Sequence, residues 1–302
     1  MLQAILASAV ASACPAPVAG RPIAMPVVDR DDNFFAMPRT STGITLTLYT
    51  DSGGGGPFIF SDTASRLGVS GKTARLTFAC DAWIPTDGPF GIVSASIRSG
   101  LPMPGEQIDG LLGGRWFDGK TWTWDYPGRQ LWLRATGDVP QVAPAHAVTL
   151  HFQTSMGEHT TGFARIEAGI DGTIYSFLLD TGARTDVTAA AQRDGNFPSA
   201  SFAASFISKT IADGWHRAHP SWPYITDAER TTHAAMIQVP EVTVAGYTVG
   251  PAWFTVRPDK NFATFMSQYM DAPVVGALGG PVLSQFRLTV DYHAERAYFE
   301  RQ

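Results

Sequence analysis

Two cysteines in 302 residues, Cys14 and Cys80, leave no material for a disulfide framework or a cysteine-based zinc site, and at most one bridge forms. Charge is scarce as well. Only 16% of the residues are charged, the net charge is -5, and no basic run occurs, which removes the electrostatic footprint that DNA or RNA binding requires. There is no Gly-x-Ser-x-Gly elbow, no P-loop, and no Gly-x-Gly-x-x-Gly opening a helix after a strand. His216 and His219 make a His-x-x-His, but without a neighbouring Glu and in a proline-bounded stretch the pair is a poor zinc motif. The glycines from Gly53 to Gly56 lack the Lys and the following helix of a phosphate cradle. No cofactor and no metal are implied.

Apolar material is plentiful, at 44% of residues, so a large core is affordable and disorder is excluded. Single cores stop growing at about 250 to 300 residues, so this length suggests two domains or one large all-β unit. The 30 Gly and 21 Pro, set among short alternating segments, point to many turns between strands. The first residues, Met1 to Ala13, are apolar, end in Ala-Ser-Ala and are too short to span a membrane. They read as an export leader within residues 1–25, with Cys14 as a potential lipid anchor, although a basic start is missing.

Strands are expected at Gly43 to Thr50, Phe58 to Phe60, Thr73 to Cys80, Phe90 to Ile97 and Trp122 to Tyr126. Ile44, Leu46 and Leu48 alternate with Thr45 and Thr47, the period of a half-buried strand. The Pro/Ala-rich stretch Gly137 to Ala145 reads as a connection between a first lobe, residues 26–140, and a second, 141–302.

The chain repeats itself across that connection. Leu111 to Tyr126 aligns without a gap to Ala277 to Tyr292, sharing Leu-Gly-Gly, a Thr and a final Asp-Tyr. Upstream of each copy an apolar run ends in Asp-[Ser/Thr]-Gly: Leu48-Tyr49-Thr50-Asp51-Ser52-Gly53 and Phe177-Leu178-Leu179-Asp180-Thr181-Gly182. Positions 51 to 113 span 62 residues and positions 180 to 279 span 99, so the second copy carries an insertion, expected between Gly195 and Ala235.

This doubled pattern resembles the retropepsin-like and pepsin-like aspartic peptidases, over roughly Gly43 to Arg134 and Gly162 to Glu300. The resemblance implies an all-β, bilobal, double β-barrel fold and an aspartic endopeptidase acting on peptide or protein substrates as a monomer. Asp51 and Asp180 would be the catalytic pair, supported by Ser52, Gly53, Thr181, Gly182 and Ala183. The chemistry has its own reason. Two carboxylates about 3 Å apart cannot both ionise, so one serves as base toward a water while the other donates to the scissile carbonyl. Glycine after each Asp permits a tight loop and close approach of the backbones, and hydroxyls at Ser52 and Thr181 would bond across the interface.

Two features depart from the family. Gly54-Gly55-Gly56 follow the first motif where a small residue and an apolar strand are usual, and Arg184 follows the second, either meeting an acidic substrate side chain or pairing with Asp186. A flap is expected over Ala82 to Ile92, turning at Asp87-Gly88, with Trp83 or Phe90 against substrate. Trp116, Trp122, Trp124, Tyr126 and Trp132 alternate as a strand pair and read as core. Two rival functions stand beside peptidase activity. One is a catalytically inactive aspartic-peptidase-like binding or scaffold protein, and the other is a carbohydrate-binding sandwich using those aromatics.

Overall fold

The computed structural model describes residues 14–100 and 107–301, so the leader expected at Met1 to Ala13 lies outside the described residues. The chain is mostly β, in three large sheets that do not close into a barrel. A seven-stranded sheet holds strands from residues 27–112, and a nine-stranded sheet holds strands from residues 165–278. The third, six-stranded sheet is shared. In it Thr121–Asp125 and Gln130–Arg134 lie beside Arg287–Asp291 and Arg296–Glu300. Among the described residues no helix is long and apolar enough to cross a membrane.

Strand register makes the repeat explicit. Leu48–Thr50 runs parallel to Gly110–Leu112, which is antiparallel to Phe58–Phe60, which is parallel to Phe90–Val93. The second half repeats each step with Thr173–Leu179, Gly276–Leu278, Ser205–Ser208 and Ala252–Arg257. Tyr49 thereby corresponds to Leu178, Leu111 to Ala277 and Phe58 to Phe206. Both central strands are buried on both faces, which is why they read as short apolar runs and not as alternating ones.

The extra length of the second half is not confined to Gly195 to Ala235. Part of it precedes Phe206, where the strand Arg184–Asp186, the helix Ala189–Asp194 and the strand Ser201–Ala203 have no counterpart after Asp51. Ser205–Ser208 and the helix Lys209–Ala218 belong to the repeat, matching Phe58–Phe60 and the helix Ser61–Arg66. His216 therefore sits on a helix, stacked on Tyr224, and His219 stacks on Trp222 and pairs with Asp171 at 2.7 Å.

Other expected strands shorten for local reasons. Gly43 to Thr50 narrows to Leu48–Thr50, with only a single bridge at Thr45. Thr73 to Cys80 keeps Thr73–Ala74, because Cys80 opens a helical turn and is joined to Cys14 by a disulfide. Phe90 to Ile97 ends at Val93, where Ala95–Gly100 winds into a 3₁₀ turn.

The shared sheet explains the repeated Asp-Tyr. Asp125 Oδ1 accepts from the backbone N–H of Gly128 at 3.0 Å, and Asp291 Oδ1 accepts from His293 and Ala294 at 3.1 Å, so each carboxylate closes its hairpin. Trp122, Trp124 and Tyr292 are fully buried, and Tyr126 and Trp116 nearly so. A large aromatic contributes about 5 kcal/mol of gross hydrophobic stabilisation, so these residues are core and not a ligand platform.

Candidate active site

Each Asp is delivered by the same device. The strand ahead of it pairs in parallel with the apolar-apolar-Gly strand, and the Asp N–H completes the ladder: Asp51 N donates to Leu112 O at 2.9 Å, and Asp180 N to Leu278 O at 3.0 Å. The chain then turns sharply. Gly53 N donates to Asp51 Oδ1 at 2.9 Å and Gly182 N to Asp180 Oδ1 at 3.1 Å, so both carboxylates are fixed by their own loops. Behind them Gly113 and Gly279 pack against backbone, and a Cβ would fall 1.9 Å from Gly55 O in one case and 2.0 Å from Ala204 O in the other. No other residue fits at either place.

The two loops meet face to face. A Cβ on Gly53 would sit 2.6 Å from Asp180 Cγ, and one on Gly182 would sit 2.5 Å from Asp51 Cγ. Glycine is thus required in each loop by the carboxyl of the other. The hydroxyls lock the pair: Ser52 Oγ donates to Leu179 O at 2.8 Å and accepts from Thr181 N at 2.9 Å, while Thr181 Oγ1 accepts from Ser52 N at 3.3 Å. Ser52 and Thr181 are each 2% exposed, so these bonds are made away from competing water.

Asp51 and Asp180 lie within hydrogen-bonding reach of each other. Burial raises both above the ordinary aspartate range, and the charge of Asp51 raises Asp180 further. They titrate as a pair. Asp180 is 9% exposed and Asp51 is half-buried, so one side of the pair remains open to a reactant.

The structure brings together Asp51, Asp180, Ser52, Gly53, Thr181 and Gly182, with Ala183 packed beneath against Gly279. Three expected substrate contacts are elsewhere. Phe90 is 1% exposed, because it is the one residue of the strand Phe90–Val93 that faces fully into the core. Trp83 is half-buried and lines a cavity of about 410 Å³ with Cys14, Lys120 and Leu133, none of them a dyad neighbour. The Arg184 side chain is only 4% exposed and bonds to Asn33 and Ser201, while Asp186 pairs with Arg230 at 3.1 Å. Nor does Ala82 to Ile92 project as a hairpin. Trp116 Nε1 donates to Pro85 O at 2.7 Å and Asp87 pairs with Lys120, which straps the segment to the first half.

Two residues of the site escaped the motif. Tyr49 donates its hydroxyl to Gly182 O at 2.5 Å, and Asn33 Nδ2 donates to Thr181 O at 3.3 Å. Their signal was slight: Tyr49 places a hydroxyl-bearing ring two residues before Asp51, and Asn33 opens the apolar run Asn33–Ala36. The chain matches no protein-family model, and no curated protein is similar to it beyond chance.

Proposed function

We propose that this chain is an aspartic endopeptidase of the bilobal, double β-barrel kind, hydrolysing peptide bonds in extended peptide or protein substrates. The observation that carries the reading is the reciprocal seating of the two loops, in which each glycine makes room for the other loop's carboxyl. Burial and mutual repulsion leave the pair one proton short of full protonation over an acidic range, the state that the reaction needs. The ionised carboxyl takes a proton from a water held between the two, and that water attacks the substrate carbonyl carbon. The protonated carboxyl donates to the carbonyl oxygen. The resulting tetrahedral adduct collapses as the amide nitrogen is protonated and the C–N bond breaks, leaving two peptides and the pair in its starting state. No covalent enzyme intermediate forms.

Residues 26–140 and 141–302 act as the two lobes in this reading, each supplying one carboxylate, so a monomer suffices. The Cys14–Cys80 bridge favours an oxidising, exported location for the mature chain.

Cleavage of a casein-like substrate is expected to be greatest in acid and to be blocked by a statine-type mimic. Asp51→Asn and Asp180→Asn should each remove nearly all turnover, with the double variant scarcely worse, because groups acting as a unit are not additive. Turnover that survives either change, or that stops only with a serine reagent or a chelator, sinks the proposal. Mimic binding without any cleavage would instead favour the inactive scaffold.

A further inference from the structure

The peptide group joining Thr181 to Gly182 is held at both ends. Its N–H, on Gly182, donates to Asp180 Oδ1 at 3.1 Å, and its C=O, on Thr181, accepts from Asn33 Nδ2 at 3.3 Å. The Asn33 side-chain oxygen in turn accepts from Arg184 Nη1 at 3.0 Å. Every link points the same way, from a guanidinium through a side-chain amide and a backbone amide to a carboxylate. Aligned hydrogen bonds polarise one another, and more so where water is excluded. Asn33 is 0% exposed and the Arg184 side chain 4%.

Stability alone gives this arginine little reason to be where it is. Its guanidinium bonds chiefly neutral acceptors: Ser201 Oγ at 2.9 Å, Ser201 O at 3.0 Å and Arg30 O at 3.3 Å. The nearest carboxylate contact is Asp31, at 3.9 Å. A buried cation so weakly paired is costly, and a well-packed apolar side chain would usually serve the fold as well. Arg184 arrives on the segment that the second half adds beyond the repeat.

The first motif has no such support. Register and spacing put Phe163 where Asn33 would be, Leu178 where Tyr49 would be, and Gly55 where Arg184 would be. Among the described residues no side chain donates to the carbonyls of Ser52 or Gly53, and a Cβ on Gly55 would meet nothing within 4 Å. Beyond the reciprocal Ser52 and Thr181 bonds that both loops share, only the Asp180 loop has its carbonyls held by side chains of the opposite half among the described residues.

We propose that Arg184, Asn33 and Tyr49 are positioning residues of the dyad: Arg184 and Asn33 relay positive charge through the Thr181–Gly182 peptide onto Asp180, and Tyr49 pins Gly182. The inference rests on the dyad reading above. It makes Asp180 the fixed carboxylate and leaves the glycine-rich Asp51 loop to adjust around substrate. The other ionisable groups facing Asp180 are Asp51, Tyr49 and Tyr126, and those facing Arg184 are Asp31, Arg30, Asp186 and Tyr49, so the titration reports on the relay against a known set.

The test is a pH titration of the aspartate carboxyl carbons by ¹³C NMR on the full chain, beside steady-state kinetics on a peptide substrate. Arg184→Gln removes the charge but keeps a donor, and Asn33→Leu cuts the relay. Each should raise the apparent pKa values of the pair by about half a unit to one unit, because the ionised form loses support. Arg184→Lys should not restore the wild-type titration, since a lysine lacks the planar fork that reaches Asn33 and Ser201 together. Tyr49→Phe should lower kcat about tenfold with KM nearly unchanged, the mark of a group that acts on the reacting geometry and not on binding. Arg230→Gln, which removes a nearby cation outside the chain of bonds, should leave the titration in place. If Arg184→Gln lowers only the melting temperature and leaves the pair's titration unmoved, the contacts are structural and the relay is rejected. Should Asn33→Leu fail to fold, Arg184→Gln decides alone. Persistent turnover in Asp51→Asn or Asp180→Asn would overturn the peptidase reading instead, while the carboxyl titration still reports on the relay.

Discussion

Thr123 and Thr289 face each other in the shared sheet, hydroxyl to hydroxyl at 2.7 Å, and each occupies the other's place in the repeat. A residue that pairs with its own counterpart lies on the local two-fold axis relating the halves. The flanking pairs cross over accordingly, with Trp122 opposite Val290 and Trp124 opposite Leu288. Asp51 and Asp180 are likewise counterparts in the repeat, and their loops make reciprocal contacts. The sheet joining the halves and the loops joining the carboxyls are therefore two levels of one symmetric seam.

Both threonine hydroxyls are 0% exposed, so each depends on the other for a partner. Thr123→Val or Thr289→Val alone should cost about 1–3 kcal/mol, because a buried hydroxyl is stranded. The double variant should cost less than the two singles together. Urea unfolding of the four proteins measures the coupling, and simple additivity would show that the pair is not a unit.

Glycines that look alike in the sequence should behave differently. Gly53→Ala drives a methyl to 2.6 Å from Asp180 Cγ and should reduce turnover by about 100-fold, the scale for a misplaced reacting group. Gly55→Ala meets open space and should raise stability by about 0.4–1 kcal/mol through the unfolded chain. Thermal melts and rate assays on the two variants would separate these roles.

The dyad's contribution to stability should decline as pH rises through the acidic range. The folded pair keeps protons that the unfolded chain has released, since both carboxyls are raised above the ordinary aspartate range by burial. The favourable contribution is complete below that ordinary range and is lost as pH passes the raised values. Asp180→Asn should therefore melt higher than the parent at neutral pH and equally in strong acid. His159 adds a second loss of the same sign at higher pH. Burial opposes its protonation, but bonds to Asp118 at 2.6 Å and Glu295 at 3.2 Å outweigh that and raise it above the ordinary histidine value. His159→Gln should remove the upper step from a melting-temperature profile and leave the lower one.

The Cys14–Cys80 bridge joins residues 66 apart, which in the chain-entropy model stabilises the fold by about 4 kcal/mol. Cys14→Ser with Cys80→Ser should lower the urea midpoint accordingly, and reductant should lower it in the parent alone.

Much of this architecture was legible because duplication leaves two readings of one message. A lone Asp-Thr-Gly is a turn like many others, but two at the ends of apolar runs, each followed by Leu-Gly and Asp-Tyr, fix strands, loops and hairpins together. Inserted residues were harder to place. Ser205–Ser208 and Lys209–Ala218 carry no motif, so only pairing with Gly276–Leu278 reveals that they belong to the repeat. Phe90 and Arg184 were misread for a different reason. Period and residue type say that a side chain is large or charged, but whether it faces solvent depends on what the rest of the chain lays over it. Here Phe90 turns into the core beside Phe78, and Arg184 is enclosed by Ser201 of the added segment together with Arg30 and Asn33 of the first half.

That added segment has made the doubling irreversible. Two copies of the first half would set Asn33 and Tyr49 beside a loop bearing Gly55, with no guanidinium to receive. Two copies of the second would bury a pair of arginines against Phe163 and Leu178, which offer them nothing. Neither half can any longer stand in for the other: what began as repetition works as a lock and its key, cut from the same blank.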